Sequence, residues 1–192
     1  MRTAEPLTLE RSSRRAGAWA WAEGSLYEVL GRWARAAASP AVKLYFDSCS
    51  QHHAWRAGLW RDRLAGRLVQ AQPGSLPQPP PGLIGPPSRA AQDALAALAD
   101  LEGTEVRLAA YCRVALPRAA VRYRQWLRGC NPYSDAPVAR CIKIALADLQ
   151  EDWQDGYELL VRLLDQAGGA AVALAAERSG SVESLWSASE FW

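Results

Sequence analysis

The chain contains no apolar run approaching the roughly 18 residues that a bilayer span requires, and no Cys-x-x-Cys pair. The first absence excludes a helical membrane span, and the second removes the usual spacing of zinc and dithiol sites. Histidine occurs only as His52 and His53, and lysine only as Lys43 and Lys143, against twenty arginines. The formal net charge is just +2, with acids and arginines mixed along the chain. A dedicated nucleic-acid surface carries a concentrated basic stripe instead, so nucleic acid is not an expected partner. The best local candidate is Arg118, Arg122, Arg124 and Arg128, with Tyr123 and Trp126 between them. Helical spacing turns Arg118 and Arg122 towards solvent and the two aromatics inward. The N-terminal segment has arginines, but its apolar run is short and ends at Glu23, unlike an export signal. A cytoplasmic chain is expected, in which Cys49, Cys112, Cys130 and Cys141 stay reduced. No catalytic motif of high specificity is present.

What the sequence does contain is helical periodicity over 192 residues, enough for one domain with a sizeable core. Residues 1–14 read as a flexible arm. A first helix follows to Ser39-Pro40, with Trp19, Glu23, Leu26, Leu30 and Trp33 recurring at threes and fours. Pro40 fits the first turn of a second helix running to about Arg67, so the tight connection makes an antiparallel hairpin. Seven prolines in the twenty residues 69–88 make an extended crossover at 67–88. Ser88 then caps a short extra helix that Gly103 ends. A third long helix runs from Thr104 through Leu127, with a kink expected near Pro117. After a turn rich in cap residues, a fourth runs from about Asp135 to Ala167, with Trp153 on its core stripe. Residues 168–192 read as a C-terminal arm, a short helix followed by an exposed end, whose Trp186, Phe191 and Trp192 are available to dock on the bundle or on a partner. The expected fold is an all-α, antiparallel four-helix bundle over residues 15–167.

The polar residues on the inward faces define the candidate site. On the second helix Cys49, His53 and Arg56 share a face with Val42, Phe46 and Trp60, and His52 stands beside it. Glu23 lies on the buried stripe of the first helix. A lone carboxylate there is costly, so it requires a partner from another helix. On the fourth helix Asp152 looks inward while Glu151 points away, and Tyr123 of the third is nearby. Glu23 with Arg56, and His53 with Asp152, are the expected pairings. If the site is catalytic, His53 acts as acid or base oriented by Asp152, with Glu23 as second carboxylate. Arg56, His52, Tyr123 and Cys49 then contact a small polar or anionic ligand.

With Glu23, His52, His53 and Asp152 in these positions, and a long crossover between the second and third helices, the chain resembles the ferritin-like superfamily, particularly ferritin-like proteins of GC-rich bacteria. Classical members hold a di-metal centre with one Glu from each of two helices and Glu-x-x-His from each of the other two. Here Cys49 and Ser50 stand three residues before the two histidines. The third helix supplies no acid at mid-length, and the fourth supplies no histidine. A full di-iron set is excluded on ligand count. One divalent cation, iron, manganese or zinc, on Glu23, His53 and Asp152 is the alternative, but Arg56 competes for both carboxylates. The favoured reading is a metal-free ion network without a cofactor, in a small-molecule-binding or accessory protein. The alternatives are an enzyme using these same residues and an oligomerising or partner-binding module.

Overall fold

The computed structural model describes residues 8–64 and 82–192, and among these residues every regular element is helical. The first helix, α1, spans Leu9–Ala36 and α2 spans Pro40–Arg61. The short α3 spans Arg89–Ala99. The fourth, α4, is continuous but changes winding: Thr104–Ala110 is α-helical, Tyr111–Ala115 is a π-turn and Leu116–Arg128 is α-helical again. Ala136–Ala167 forms α5 and Gly169–Ala188 forms α6. No helix among the described residues is long and apolar enough to cross a membrane.

Two boundaries move from their sequence-based positions for local reasons. The expected arm at 1–14 is already helical from Leu9, because the Thr8 hydroxyl accepts the Arg11 amide and caps the first turn. At its other end α2 stops at Arg61, and the crossover expected at 67–88 lies largely outside the described residues. Its last stretch packs on α1. The Leu83 carbonyl approaches so closely that a Cβ on Gly17 would sit 1.9 Å from it, a contact only glycine permits.

The long helices pack as two hairpins, α1 on α2 and the second half of α4 on α5, with α2 also against α5. The α4–α5 turn is held by Asn131, whose side-chain carbonyl accepts the Tyr133 and Ser134 amides, and by Asp135, which accepts the Asn131 amide. Trp153, expected on the core stripe, is instead 40% exposed, stacked on Tyr157 at the surface. At its level α5 turns Asp152 and Gly156 inward.

Residues 168–192 are not an arm. Helix α6 lies across α3 and the first part of α4, and Trp186 and Trp192 are fully buried. Their indole N–H groups donate to the Ala94 and Ala91 carbonyls of α3 at 2.9 and 3.1 Å. Trp192 also packs on Trp19, Trp21 and Trp186. Removing an indole of about 200 Å² from water is worth roughly 5 kcal/mol before ordering costs. The tryptophans available to a partner on sequence grounds are therefore spent within the chain.

Close packing of α5 on α2 and α4 gives a prediction of opposite signs at two helical glycines. A Cβ at Gly156 would lie 2.1 Å from the Tyr45 hydroxyl and 2.6 Å from Cys112 Sγ, whereas one at Gly180 meets nothing within 4 Å. Gly156→Ala is expected to destabilise by about 2 kcal/mol, and Gly180→Ala to stabilise by about 0.5–1 kcal/mol. Urea midpoints of the two variants check this, and equal midpoints would show that Tyr45 moves aside freely.

Candidate functional site

Four helices each send polar side chains to one interior point. Arg56 of α2 is at its centre, 0% exposed, with Glu23 of α1 and His53 of α2 at 1% each. Arg56 Nε donates to Glu23 Oε2 at 3.0 Å and Nη1 to Asp152 Oδ2 of α5 at 3.4 Å. His53 Nδ1 lies 2.5 Å from Glu23 Oε2, and its Nε2 lies 2.9 Å from the Tyr111 hydroxyl of α4. The Tyr123 hydroxyl donates to Glu23 Oε1 at 2.6 Å and accepts the Trp60 indole N–H at 2.8 Å. Glu23 thus receives donors from His53, Arg56 and Tyr123, which is how a carboxylate can remain charged away from water.

Proton positions follow from the charges. Burial alone would raise the Glu23 carboxyl. The Arg56 guanidinium and His53, with hydrogen bonds from His53 and Tyr123, overcome it and hold the group at about 2. Glu23 is therefore ionised, and His53 Nδ1 must carry the proton that it donates to Oε2. Burial, then the adjacent Arg56, pushes the imidazole pKa down; the ring is neutral and Nε2 is free to accept from Tyr111. Burial pushes the Tyr111 and Tyr123 hydroxyls well up, so both stay protonated donors. Arg56 Nη2 also lies 3.0 Å from His53 Nδ1. Since that nitrogen already bears its proton, this is a contact between two donors, and it opposes a positive charge on the ring. For Arg56 burial pulls the pKa down, but the Glu23 carboxylate more than restores it.

The expected pairing of Glu23 with Arg56 is present, but that of His53 with Asp152 is exchanged. His53 turns to Glu23, and His52 meets Asp152, Nδ1 to Oδ1 at 2.7 Å. The consecutive histidines diverge by about 100° around α2: His53 enters the interior, while His52 keeps 48% of its side chain in solvent. Asp152 joins the two regions, with one oxygen towards His52 and the other towards Arg56. Tyr45 completes this side by donating to the Asp152 backbone carbonyl at 2.7 Å.

Cys49, read as a ligand contact, is 1% exposed in the core cluster. Burial, with the Asp152 carboxylate as second cause, drives its thiol pKa upward. Cys112 is likewise pushed up to about 12 by burial. Buried thiols of this kind are not thiolate nucleophiles.

Tyr111 is the residue that helical periodicity misses. On a regular α-helix it lies about 120° from Tyr123, off the inward face. The Leu116 amide donates to the Tyr111 carbonyl, a bond five residues long that places one extra residue in the turn. That turns the two tyrosines back by about 100°, onto nearly one side. The signal was Pro117: its ring clashes with the Arg113 carbonyl in a regular helix, and the wider turn relieves the clash. Where a kink was expected at the proline, the structure has this π-turn just before it.

Among the described residues no group of three or more His, Cys, Asp or Glu is placed to hold a metal ion. The guanidinium occupies the space between Glu23 and Asp152, where a cation would bridge them. Comparison of the chain with protein-family models, with curated proteins and with solved structures finds no match in any of the three.

The protonation states have a consequence for stability. For His53 the folded pKa is below the ordinary 6.5, so the unfolded chain binds the extra proton and stability falls as pH drops below about 6.5. Glu23, at about 2 against an ordinary 4.5, adds a further loss as pH falls from 4.5 towards 2, amounting to roughly 3 kcal/mol. His53→Gln is expected to flatten the upper limb and leave a carboxylate limb below it. Denaturant midpoints from about pH 8 to about pH 3 test this, and parallel curves for parent and variant above 4.5 would mean that His53 is not held neutral.

Proposed function

We propose that the chain is a metal-free ferritin-like four-helix bundle, acting in the cytoplasm as a small-molecule-binding or accessory protein. The observation that carries this reading is Arg56, fully buried and bonded to both Glu23 and Asp152. Classical ferritin-like centres neutralise their interior carboxylates with cations, and in this chain a fixed positive charge satisfies the carboxylates instead. The residues present do not fit a di-metal group, and they do not fit a mononuclear one either. The two carboxylates are bonded to Arg56 between them, and His53 has both nitrogens committed to Glu23 and Tyr111. With both carboxylates supplied with donors, the cluster fixes helix positions, and binding falls to the surface around it. Protein purified from metal-rich medium without chelator is expected to carry far less than one iron, manganese or zinc per chain. Stoichiometric metal that disappears in His53→Ala would overturn the reading.

One observation favours an enzyme as the second reading. His52 is half in solvent, and the buried carboxylate of Asp152 holds its Nδ1. This is the arrangement that holds an imidazole in a fixed orientation. Nε2 of His52, not His53, is then the acid or base. Hydrolysis of p-nitrophenyl acetate is expected to exceed that by free imidazole at equal concentration and to fall in His52→Ala and Asp152→Asn. A parent rate no greater than imidazole's would remove this reading.

A further inference from the structure

Helix α5 carries a second stripe on the side turned away from the interior. Lys143, Ala147, Gln150, Gln154, Tyr157 and Val161 recur there at spacings of four and three, and every one of them is exposed. That is a repeat of 3.5 residues, the period on which helices pair side by side. Tyr157 is 41% exposed and Val161 40%. Trp153, stacked on Tyr157 with centroids 5.4 Å apart, keeps 40% of its surface in solvent on the flank towards α4. Exposed apolar side chains scattered singly need no partner, but grouped on one face they mark a contact site.

Beside the stripe a groove of about 250 Å³ runs between the second half of α4 and α5. Because the two helices are antiparallel, Trp153 stands at one end with Leu116 and Pro117, and Ala120 and Arg124 stand at the other with Leu146. The charges on this face are sorted by end. Arg124, Arg140 and Lys143 lie towards the Asn131 turn, whereas Glu158 lies about 22 Å along α5 from Lys143. Arg140 and Glu158 flank the stripe on the same side, the one away from α4, and Glu151 turns about 80° off it into the rim. Among the described residues none of Arg124, Arg140, Lys143 and Glu158 belongs to an ion pair.

We propose that this face pairs with a second copy of the chain, antiparallel, about a two-fold axis that crosses α5 beside Gln150. Such an axis reverses the stripe, so each residue meets the one equally far on the other side of Gln150. Glu158 of each copy then falls between Arg140 and Lys143 of the other. Trp153 comes over the far end of the other copy's groove, where Ala120 leaves room and the Arg124 guanidinium meets the indole face. An axis parallel to the helices would instead bring the two basic ends together, so the charges select the antiparallel arrangement. From Arg140 to Val161 the face is about 33 Å long, and two helices side by side are about 20 Å wide. The resulting area of about 650 Å², before ridges are counted, is near the roughly 800 Å² per partner of a standard interface. The proposal does not rest on the metal-free reading: metal in the interior would sink that reading and leave this one standing.

Sedimentation equilibrium of the full chain from about 1 to about 100 µM tests it. The parent is expected to reach twice the mass of one chain within that range. Glu158→Lys is expected to raise the dimer dissociation constant at least about tenfold, and adding Arg140→Glu and Lys143→Glu to it is expected to recover most of the loss. Trp153→Ala is expected to weaken the dimer by about tenfold. Should that variant also lower the urea midpoint, Gln150→Arg, which sets like charges together at the axis, serves as the second variant. A parent that stays monomeric throughout leaves the face to solvent or to a different partner and overturns the proposal. A dimer unmoved by both Glu158→Lys and Gln150→Arg, or one weakened by Glu158→Lys without recovery in the triple variant, overturns it as well.

Discussion

The structure depends on one buried charge. A guanidinium at Arg56, taken out of water, would cost several kcal/mol if it met nothing. It meets Glu23 from α1 and Asp152 from α5, and Glu23 in turn needs His53 and Tyr123. Because these groups come from four different helices, satisfying one of them sets the depth and rotation of the others. An apolar core of the same volume would have tolerated neighbouring registers. A charge held between two carboxylates from different helices tolerates far fewer, which is how a buried pair that adds little net stability can still specify an arrangement.

The same cluster reaches outward by two routes of different chemistry. On one side the path is polar: Asp152 shares its carboxylate between Arg56 and the half-exposed His52. On the other it is aromatic: Tyr123 and Trp60 stack on Trp19 and Trp126, which Phe191 and Arg15 cover in turn. The interior is closed, yet the positions of His52 and Arg15 at the surface follow from it. The C-terminal residues take part in the second route, since Phe191 and Trp192 pack against Trp19 and the Trp192 carbonyl anchors Arg118 and Arg122.

The helical class, the α1–α2 hairpin and the inward position of Glu23, His53, Arg56, Tyr123 and Asp152 were legible in the sequence, because each rests on a periodicity of 3.6 and on the cost of burying a charge. What was not legible has definite causes. Periodicity places a residue on a face but does not say which of two adjacent histidines a carboxylate will choose; that depended on the 100° between His52 and His53 and on the helix each one fronts. Tyr111 was hidden because a single π-turn breaks the period on which the reading relied. Trp153 looked like core since a tryptophan four residues from Leu149 fits the stripe, whereas the buried position went to Asp152 one residue earlier. The tail's helix was read as short and its end as exposed because this alanine-rich segment has no strong polar side; of the two docking choices open to its tryptophans, the structure takes the bundle, with two indoles bonding to α3.

Pro117 touches none of these charges, yet it decides which phenol reaches the imidazole. Its ring forbids the tighter winding one turn earlier, and so keeps a surplus residue in the turn that begins at Tyr111. In this sense the proline works as a pawl. It stops the upstream half of α4 from slipping by a single position relative to the downstream half, and the pair of tyrosines that grips His53 and Glu23 from one side is set by an imino acid that makes no contribution to the grip itself.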